Sequence, residues 1–279
     1  KKNPVGDDYT KKIVKKKLYD LNLMKCKNCN FVQLSNVIDP NKVYGEYLYV
    51  TKTSLGLQKH FYNLAEKLIK KKIINEDSKI LEIGSNDGTL LKYLKNKSRM
   101  IVGVDPAAHL LKSKKIKKIK GLFNYNFSKK ISKKYGNFNV VIANNVIANI
   151  DDLKDVFKGI KNILSNKGYL IIETFCLHGI LKNNLIDNVY HEHLSYFSLN
   201  TLKKFAQNYN LYLKDADFLK VKGGSIRFIF QNNRIDLNSK VKKLIKAENR
   251  ILKKMEIKFK IFQKKNLENK KKINILINK

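Results

Sequence analysis

The sequence predicts an α/β fold organised on a doubly wound, mostly parallel sheet, and three observations predict it. The stretch Ile80-Leu81-Glu82-Ile83-Gly84-Ser85-Asn86-Asp87-Gly88-Thr89-Leu90-Leu91 reads as a buried strand, a glycine-bracketed turn and the start of a helix. A second apolar run, Met100-Ile101-Val102-Gly103-Val104-Asp105, ends in an acid. Beyond it, strand candidates near 116–122, at 139–143 and at 169–173 are separated by helical stretches, the alternation that a doubly wound sheet requires.

From the N-terminus, a Lys-rich helical run is expected near Lys11 to Tyr19. Cys26-Lys27-Asn28-Cys29 then opens a knuckle and a short strand, with Asn30 suited to the left-handed conformation usually given to glycine. An aromatic-rich segment, Tyr44 to Tyr49, leads to the first long helix, which Thr53 or Ser54 can cap. Leu57, Phe61, Leu64, Ala65 and Leu68 share one face of that helix, on which His60 reads as a packed or surface residue. A later helix over 152–164 is expected to close at Asn166-Lys167-Gly168 before the fifth strand. The expected division is an incomplete zinc-binding-like region at 1–52, a catalytic α/β domain at 53–235 and a Lys-rich helical linker at 236–279.

The chain has 279 residues, enough for one large core with small attachments. It carries no run of about eighteen apolar residues and no signal-peptide pattern, so a cytoplasmic protein is expected. Three cysteines are too few for a disulfide scaffold. The formal charge of +35 would ordinarily suggest nucleic acid, but only four of the 58 basic residues are arginine and the lysines are spread among Asn and Ile. That profile reads as a compositional bias rather than a reader of bases or phosphates.

Gly84 and Gly88 let the main chain approach a ligand, and the helix at Thr89 offers unpaired N–H groups. Asp105 is placed to accept hydrogen bonds from a ribose, as in dinucleotide sites. Here Asn86 replaces the central glycine of G-x-G-x-x-G and Glu82 stands inside the strand, a pattern that resembles the S-adenosylmethionine site of class I, Rossmann-like methyltransferases. Residues 144–149 and 173–175 should converge on the same cleft, because ligands sit at the carboxyl ends of such strands. The segment Tyr190-His191-Glu192-His193 concentrates two of the five histidines. In an extended segment His191 and His193 would share a face; in a loop all would turn inward. Proton transfer fits these residues better than zinc, since no third ligand has a recognisable spacing.

Together, Cys-x-x-Cys-x-Phe-Val-Gln-Leu, Tyr-x-x-Tyr-x-Tyr, Leu-Glu-Ile-Gly-Ser-Asn-Asp-Gly, Asn-Asn-Val-Ile-Ala, Tyr-His-Glu-His-Leu-Ser-Tyr-Phe-Ser and Gly223-Gly224-Ser225-Ile226-Arg227 resemble the zinc-containing sugar C-methyltransferases. That family methylates nucleotide-linked 4-keto-6-deoxy sugars at C3. The resemblance runs from about Cys26 to Phe230 and implies a doubly wound sheet with a small zinc-ribbon-like remnant, and a piece of a longer protein. It implies S-adenosylmethionine held by Glu82, Gly84, Asn86, Asp87, Gly88, Asp105 and Asn145. It implies His193 as general base, Glu192 as its orienting partner, Tyr190 and Tyr44 as contacts to the keto sugar, and Cys26 and Cys29 as half of a structural zinc site. Two positions depart from the family: Asn149 and Lys222 stand where histidine is common. Methylation of oxygen or nitrogen on a sugar or other small molecule, a basic RNA-binding protein and a non-catalytic nucleotide-binding module stay open as alternatives.

Overall fold

The computed structural model describes residues 2–3, 17–40, 43, 49–54 and 56–277. Most of the Lys-rich run at 11–19, and Tyr44, lie outside the described residues. The described end of that run is extended, with Tyr19–Asp20 pairing antiparallel to Lys2–Asn3. A hairpin follows, β1 (Leu23–Lys25) and β2 (Val32–Leu34), closed by the cysteine knuckle: Cys26 N donates to Phe31 O at 2.8 Å and Asn30 N to Cys26 O at 3.0 Å. Asn30 adopts the left-handed conformation expected of it, with φ of 60°.

The elements of the main domain are α1 (Leu57–Lys70), β3 (Lys79–Ile83), α2 (Thr89–Leu94), β4 (Met100–Asp105), β5 (Lys117–Lys120), α3 (Tyr125–Tyr135), β6 (Phe138–Asn144), α4 (Leu153–Ile163) and β7 (Leu164–Phe175). They are followed by α5 (Leu177–Asn183), β8 (Ser195–Tyr196), α6 (Leu199–Gln207), β9 (Tyr212–Leu219), β10 (Ser225–Gln231), α7 (Ser239–Leu252) and α8 (Met255–Ile277). The seven-stranded sheet has the order β9-β10-β7-β6-β3-β4-β5. Strands β3 to β7 are parallel, and β10 runs antiparallel between β7 and β9. The chain starts in the middle at β3, winds outward through β4 and β5, then returns to β6 on the other side. The crevice of such a reversal opens between the carboxyl ends of β3 and β6.

Both faces of the sheet are covered, which is why its central strands read as unbroken apolar runs. Ile80, Val140 and Ile142 point to the face packed by Phe61, Leu64 and Leu68 of α1 and Leu90, Leu91 and Leu94 of α2. Their neighbours Leu81, Val141 and Ala143 point to the other face, against Phe157 and Ile160 of α4 and Leu202 of α6. The five apolar residues predicted for α1 are its five buried ones. Its cap differs from expectation: Gly56, with φ of 81°, precedes the helix, while Thr51–Thr53 forms a separate helical turn. The end of α4 also differs. The chain turns extended at Leu164, which pairs with Phe138, so β7 begins five residues before Tyr169 and no glycine cap forms. Long-range strand pairing has overridden a local stop signal there.

The hairpin is not a separate appendage. Strand β8 pairs with β2, Leu34 N donates to Leu194 O at 2.9 Å, and Phe31 packs on Phe197. The segment that carries His193 is therefore clamped between the hairpin and the main domain, because Leu194 N also donates to Ala148 O at 2.8 Å. From the other side, buried Glu248 of α7 accepts hydrogen bonds from Leu199 N at 2.8 Å and Asn200 N at 3.2 Å, holding the start of α6.

Candidate active site

A cavity of about 450 Å³ opens at the carboxyl ends of β3, β4 and β6. Of the residues predicted to bind a cofactor, Glu82, Gly84, Asn86, Asp105 and Asn145 line it. Asp87 and Gly88 do not. Asp87 Oδ1 accepts hydrogen bonds from Thr89 N at 3.1 Å and Thr89 Oγ1 at 2.6 Å, so its carboxylate holds the start of α2. Gly88 turns the chain at φ of 73° behind the wall. Both support the turn instead of facing the cavity.

Gly84 is needed for two reasons. Its φ is 73°, and a Cβ there would stand 2.9 Å from the Val146 side chain. Asn86 adopts φ of 46°, donates its N–H to Asp105 Oδ2 at 2.8 Å, and accepts from Thr51 N at 3.0 Å through Oδ1. Its Nδ2 donates to Tyr49 O at 3.0 Å. The asparagine that replaces the usual glycine thus ties residues 49–51 over the turn. Asp105 is held by two backbone donors, Asn86 N and Ala107 N, the latter at 2.7 Å. Burial nevertheless raises its pKa, against the lowering effect of those N–H groups.

Glu82 is the most strained group of the site. It is buried, its Oε2 has no partner, and burial followed by the charges of Asp105 and Asp87 pushes its pKa well above the ordinary carboxylate range. The native state therefore holds this proton more tightly than the unfolded chain does. Stability of the ligand-free protein should fall as pH rises from about 4.5, the ordinary value for Glu, toward the raised pKa. Glu82→Gln cannot ionise, so thermal denaturation without ligand should show the variant gaining on the parent as pH goes from 5 to 8. A difference that does not change with pH would mean that Glu82 carries no such strain.

Three residues of the stretches expected in the cleft, 144–149 and 173–175, have environments that the sequence did not specify, and one of them lies outside the cavity. Asn144 is buried at the end of β6, lines the cavity, and leaves both side-chain amide atoms without partners. The signal for it was only its place at a strand's carboxyl end. Glu173, expected in the cleft, is absent from the lining: Arg227 donates Nε and Nη2 to its Oε2 at 2.8 and 2.6 Å, and His60 Nε2 lies 2.6 Å from its Oε1. Burial raises the Glu173 pKa, but the His60 hydrogen bond and the Arg227 charge outweigh it and hold the carboxylate below its ordinary range. This ion cluster joins α1, β7 and β10 behind the site. The third residue is Asn149, whose Oδ1 is shielded from solvent and unpartnered in the cavity wall.

The histidine segment forms a turn whose residues diverge. Tyr190, Glu192 and His193 line the cavity, whereas buried His191 faces Tyr19 and its Nε2 has no partner. The His193 ring donates Nδ1–H to Asn188 O at 2.9 Å, which leaves Nε2 to accept from Tyr190 Oη at 3.0 Å. A main-chain carbonyl thus holds the His193 ring in this tautomer. A neighbouring carboxylate was expected to raise its basicity; instead burial, opposed by the Asn188 bond and aided by the charge of Lys222, lowers its pKa to about 4. His193 is a neutral imidazole at pH 7 with its lone pair directed at a phenol. Lys222 also lines the cavity, close to the Tyr49 ring.

Cys26 and Cys29 are exposed. Backbone N–H groups of Cys29 and Asn28, then the Cys29 thiol, lower the Cys26 pKa. Cys176 is buried, its thiol pushed up to about 11 by burial, and it accepts from Gly179 N at the start of α5. Among the described residues no group of three or more His, Cys, Asp or Glu could hold a metal. The two thiols alone do not fit the closed four-ligand set of structural zinc. Among the described residues no helix is long and apolar enough to cross a membrane.

Comparison with known proteins gives the family. Residues 57–215 match the methyltransferase domain family. The C-methyltransferase NovU of Streptomyces niveus is 29% identical over 212 residues, covering 75% of this chain and 50% of that protein, so the chain spans about half the length of this curated relative. A methyltransferase from Thermotoga maritima, described as a possible histamine N-methyltransferase, shares 18% identity with a TM-score of 0.45 over 63% of this chain and 92% of its own. The N-methyltransferase NodS from Bradyrhizobium japonicum shares 10% identity with a TM-score of 0.46 over 65% and 99% of the two chains. The match to residues 57–215 spans the whole run from α1 into β9, including the glycine turn, Asp105 and His193, and on it this chain belongs to the methyltransferase domain family, with the architecture of the class I S-adenosylmethionine-dependent enzymes.

Proposed function

We propose that the protein uses S-adenosylmethionine to methylate the carbon next to the ketone of a nucleotide-linked 4-keto-6-deoxy sugar. The observation that carries this reading is the Tyr190–His193 pair, a phenol 3.0 Å from a neutral imidazole nitrogen, facing the same cavity as the glycine turn. Similarity to a C-methyltransferase supports it.

The residues present suit the cofactor. Three carboxylates, Glu82, Asp87 and Asp105, stand close enough to raise the Glu82 pKa, and a ligand with a cationic sulfonium and ammonium would relieve their repulsion. Unpartnered Glu82 Oε2, Ser85 Oγ and the Asn144 amide are donors and acceptors for such a ligand. Asp105 would hold the ribose hydroxyls, with Gly84 and Asn145 shaping the adjoining main chain. When bound, the cofactor supplies an activated methyl group on sulfur.

The protein must then create the carbon nucleophile. A carbon next to a ketone needs a base for its proton and a donor for the oxygen. Tyr190 Oη and His193 Nε2 share a hydrogen bond of 3.0 Å. A ketone that takes the Tyr190 O–H as donor frees His193 Nε2 to accept the carbon-bound proton, while Asn188 O keeps the ring in the required tautomer. Glu192 stands in the same wall to offset the imidazolium charge. The test is mass spectrometry of reactions with a panel of nucleotide-linked sugars: mass gain of one methyl only on 4-keto sugars supports the reading, and equal transfer to sugars lacking the ketone contradicts it.

A further inference from the structure

We propose that Lys222 is a further catalytic residue, whose ammonium stabilises the negative charge that forms on the acceptor oxygen when the neighbouring carbon loses its proton. The inference rests on the carbon-methylation reading and extends it to a residue on a different element, the turn between β9 and β10.

Lys222 lines the cavity together with Tyr49, Tyr190, Glu192 and His193. Three acids of β7 and β9 are engaged with other cations: Asp215 with Lys71 and Lys240, Asp217 with Lys67 and Lys240, Glu173 with Arg227 and His60. Among the described residues Lys222 has no hydrogen-bond or ion-pair partner, and its Nζ lies 6.0 Å from the centroid of the Tyr49 ring. The turn that carries it is fixed. Gly223 O accepts from Asn183 Nδ2 at 2.6 Å, Gly224 N donates to Val221 O at 3.0 Å, and Ser225 Oγ donates to Val221 O at 3.1 Å. Lys222 itself holds φ of 51°, a conformation costly to a residue with a Cβ. The next residue, Gly223, has φ of 75°, and a Cβ there would collide with the Leu185 side chain, which favours glycine at that position.

The electrostatics agree with that placement. Much of Lys222 is open to solvent along its length, yet burial around the ammonium draws its pKa below the ordinary lysine value, with the Glu173 charge acting in the opposite direction. Its charge is felt at His193, whose pKa it helps to lower. A cation that disfavours positive charge at that spot favours negative charge beside it by the same Coulomb law. In the step proposed above, the carbon–hydrogen bond breaks, its electron pair moves into the carbonyl group to leave the charge on oxygen, and the proton goes to His193 Nε2. Lys222 keeps its own protons throughout. Its contribution exists only once the oxygen is charged, which is the condition for raising a rate rather than merely tightening binding.

The experiment compares Lys222→Met and Lys222→Arg with the parent, using a nucleoside diphosphate-linked 4-keto-6-deoxyhexose. Exchange of the proton next to the ketone is followed in deuterated water with S-adenosylhomocysteine in place of the methyl donor, and kcat and KM are measured separately. Lys222→Met should slow exchange and kcat together by about 10–10²-fold, at or below the loss seen on removing one oxyanion-hole donor, with KM near the parent's. Lys222→Arg should recover most of the exchange. NMR titration should show the His193 pKa rising above about 4 in the Met variant. Exchange as fast as the parent's, or a loss confined to KM, would overturn the inference and make Lys222 at most an anchor for the phosphates. A parent that exchanges no proton and places the methyl on oxygen or nitrogen would defeat the carbon-methylation reading itself, and Lys222 as enolate stabiliser with it.

Discussion

His193→Ala is expected to lower turnover by about 10²–10⁴-fold, the range of general acid–base catalysis, while leaving S-adenosylmethionine affinity close to the parent's. The split follows from position: His193 sits on the turn after α5, apart from the glycine turn, and among the described residues its ring hydrogen-bonds to Asn188 O and Tyr190 Oη. The pH profile adds a second readout. Because burial lowers its pKa to about 4, the ring is already neutral at pH 5, and the acid limb of kcat/KM should fall near pH 4 rather than near 6.5. An acid limb near 6.5 that persists in the alanine variant would remove His193 from the proton transfer and shift it to Tyr190 or Tyr44.

Asp105→Ala should weaken S-adenosylmethionine by about tenfold or more, since a hydrogen bond to a charged group is worth about 1.5–3 kcal/mol. The carboxylate has a second role that makes the effect larger than one lost ligand contact. Its two oxygens accept from Asn86 N and Ala107 N, so its removal also frees the turn that Asn86 ties to Thr51 and Tyr49. Calorimetric titration checks both the affinity and the enthalpy. Unchanged affinity, or a parent that prefers NAD, would reject the assignment of this cleft.

The parts of the fold legible in the sequence are those written in short-range pattern. The buried face of α1, the strand–turn–helix at Ile80 to Thr89 and the acid ending β4 each declare themselves within a dozen residues. The early start of β7 could not, because it depends on Leu164 meeting Phe138 across the sheet. The Glu173–Arg227–His60 cluster joins residues 54 and 113 positions apart and left only one hint, an arginine among lysines. His193 shows a further limit. Its residue type gave the chemistry, but the main-chain carbonyl that holds its tautomer has no signature in a sequence, and its low pKa comes from the surrounding packing. Lys222 looked like a mere departure from a family pattern until the turn carrying it was seen at the cavity.

The measurement closest to the central claim is the fate of a ¹³C-labelled methyl group. With S-adenosylmethionine labelled in that methyl and a nucleotide-linked 4-keto-6-deoxy sugar as acceptor, NMR of the product should show the label bonded to a carbon of the sugar ring next to the ketone. A label found on oxygen or nitrogen would contradict the account, because neither position requires the proton transfer for which Tyr190 and His193 are arranged.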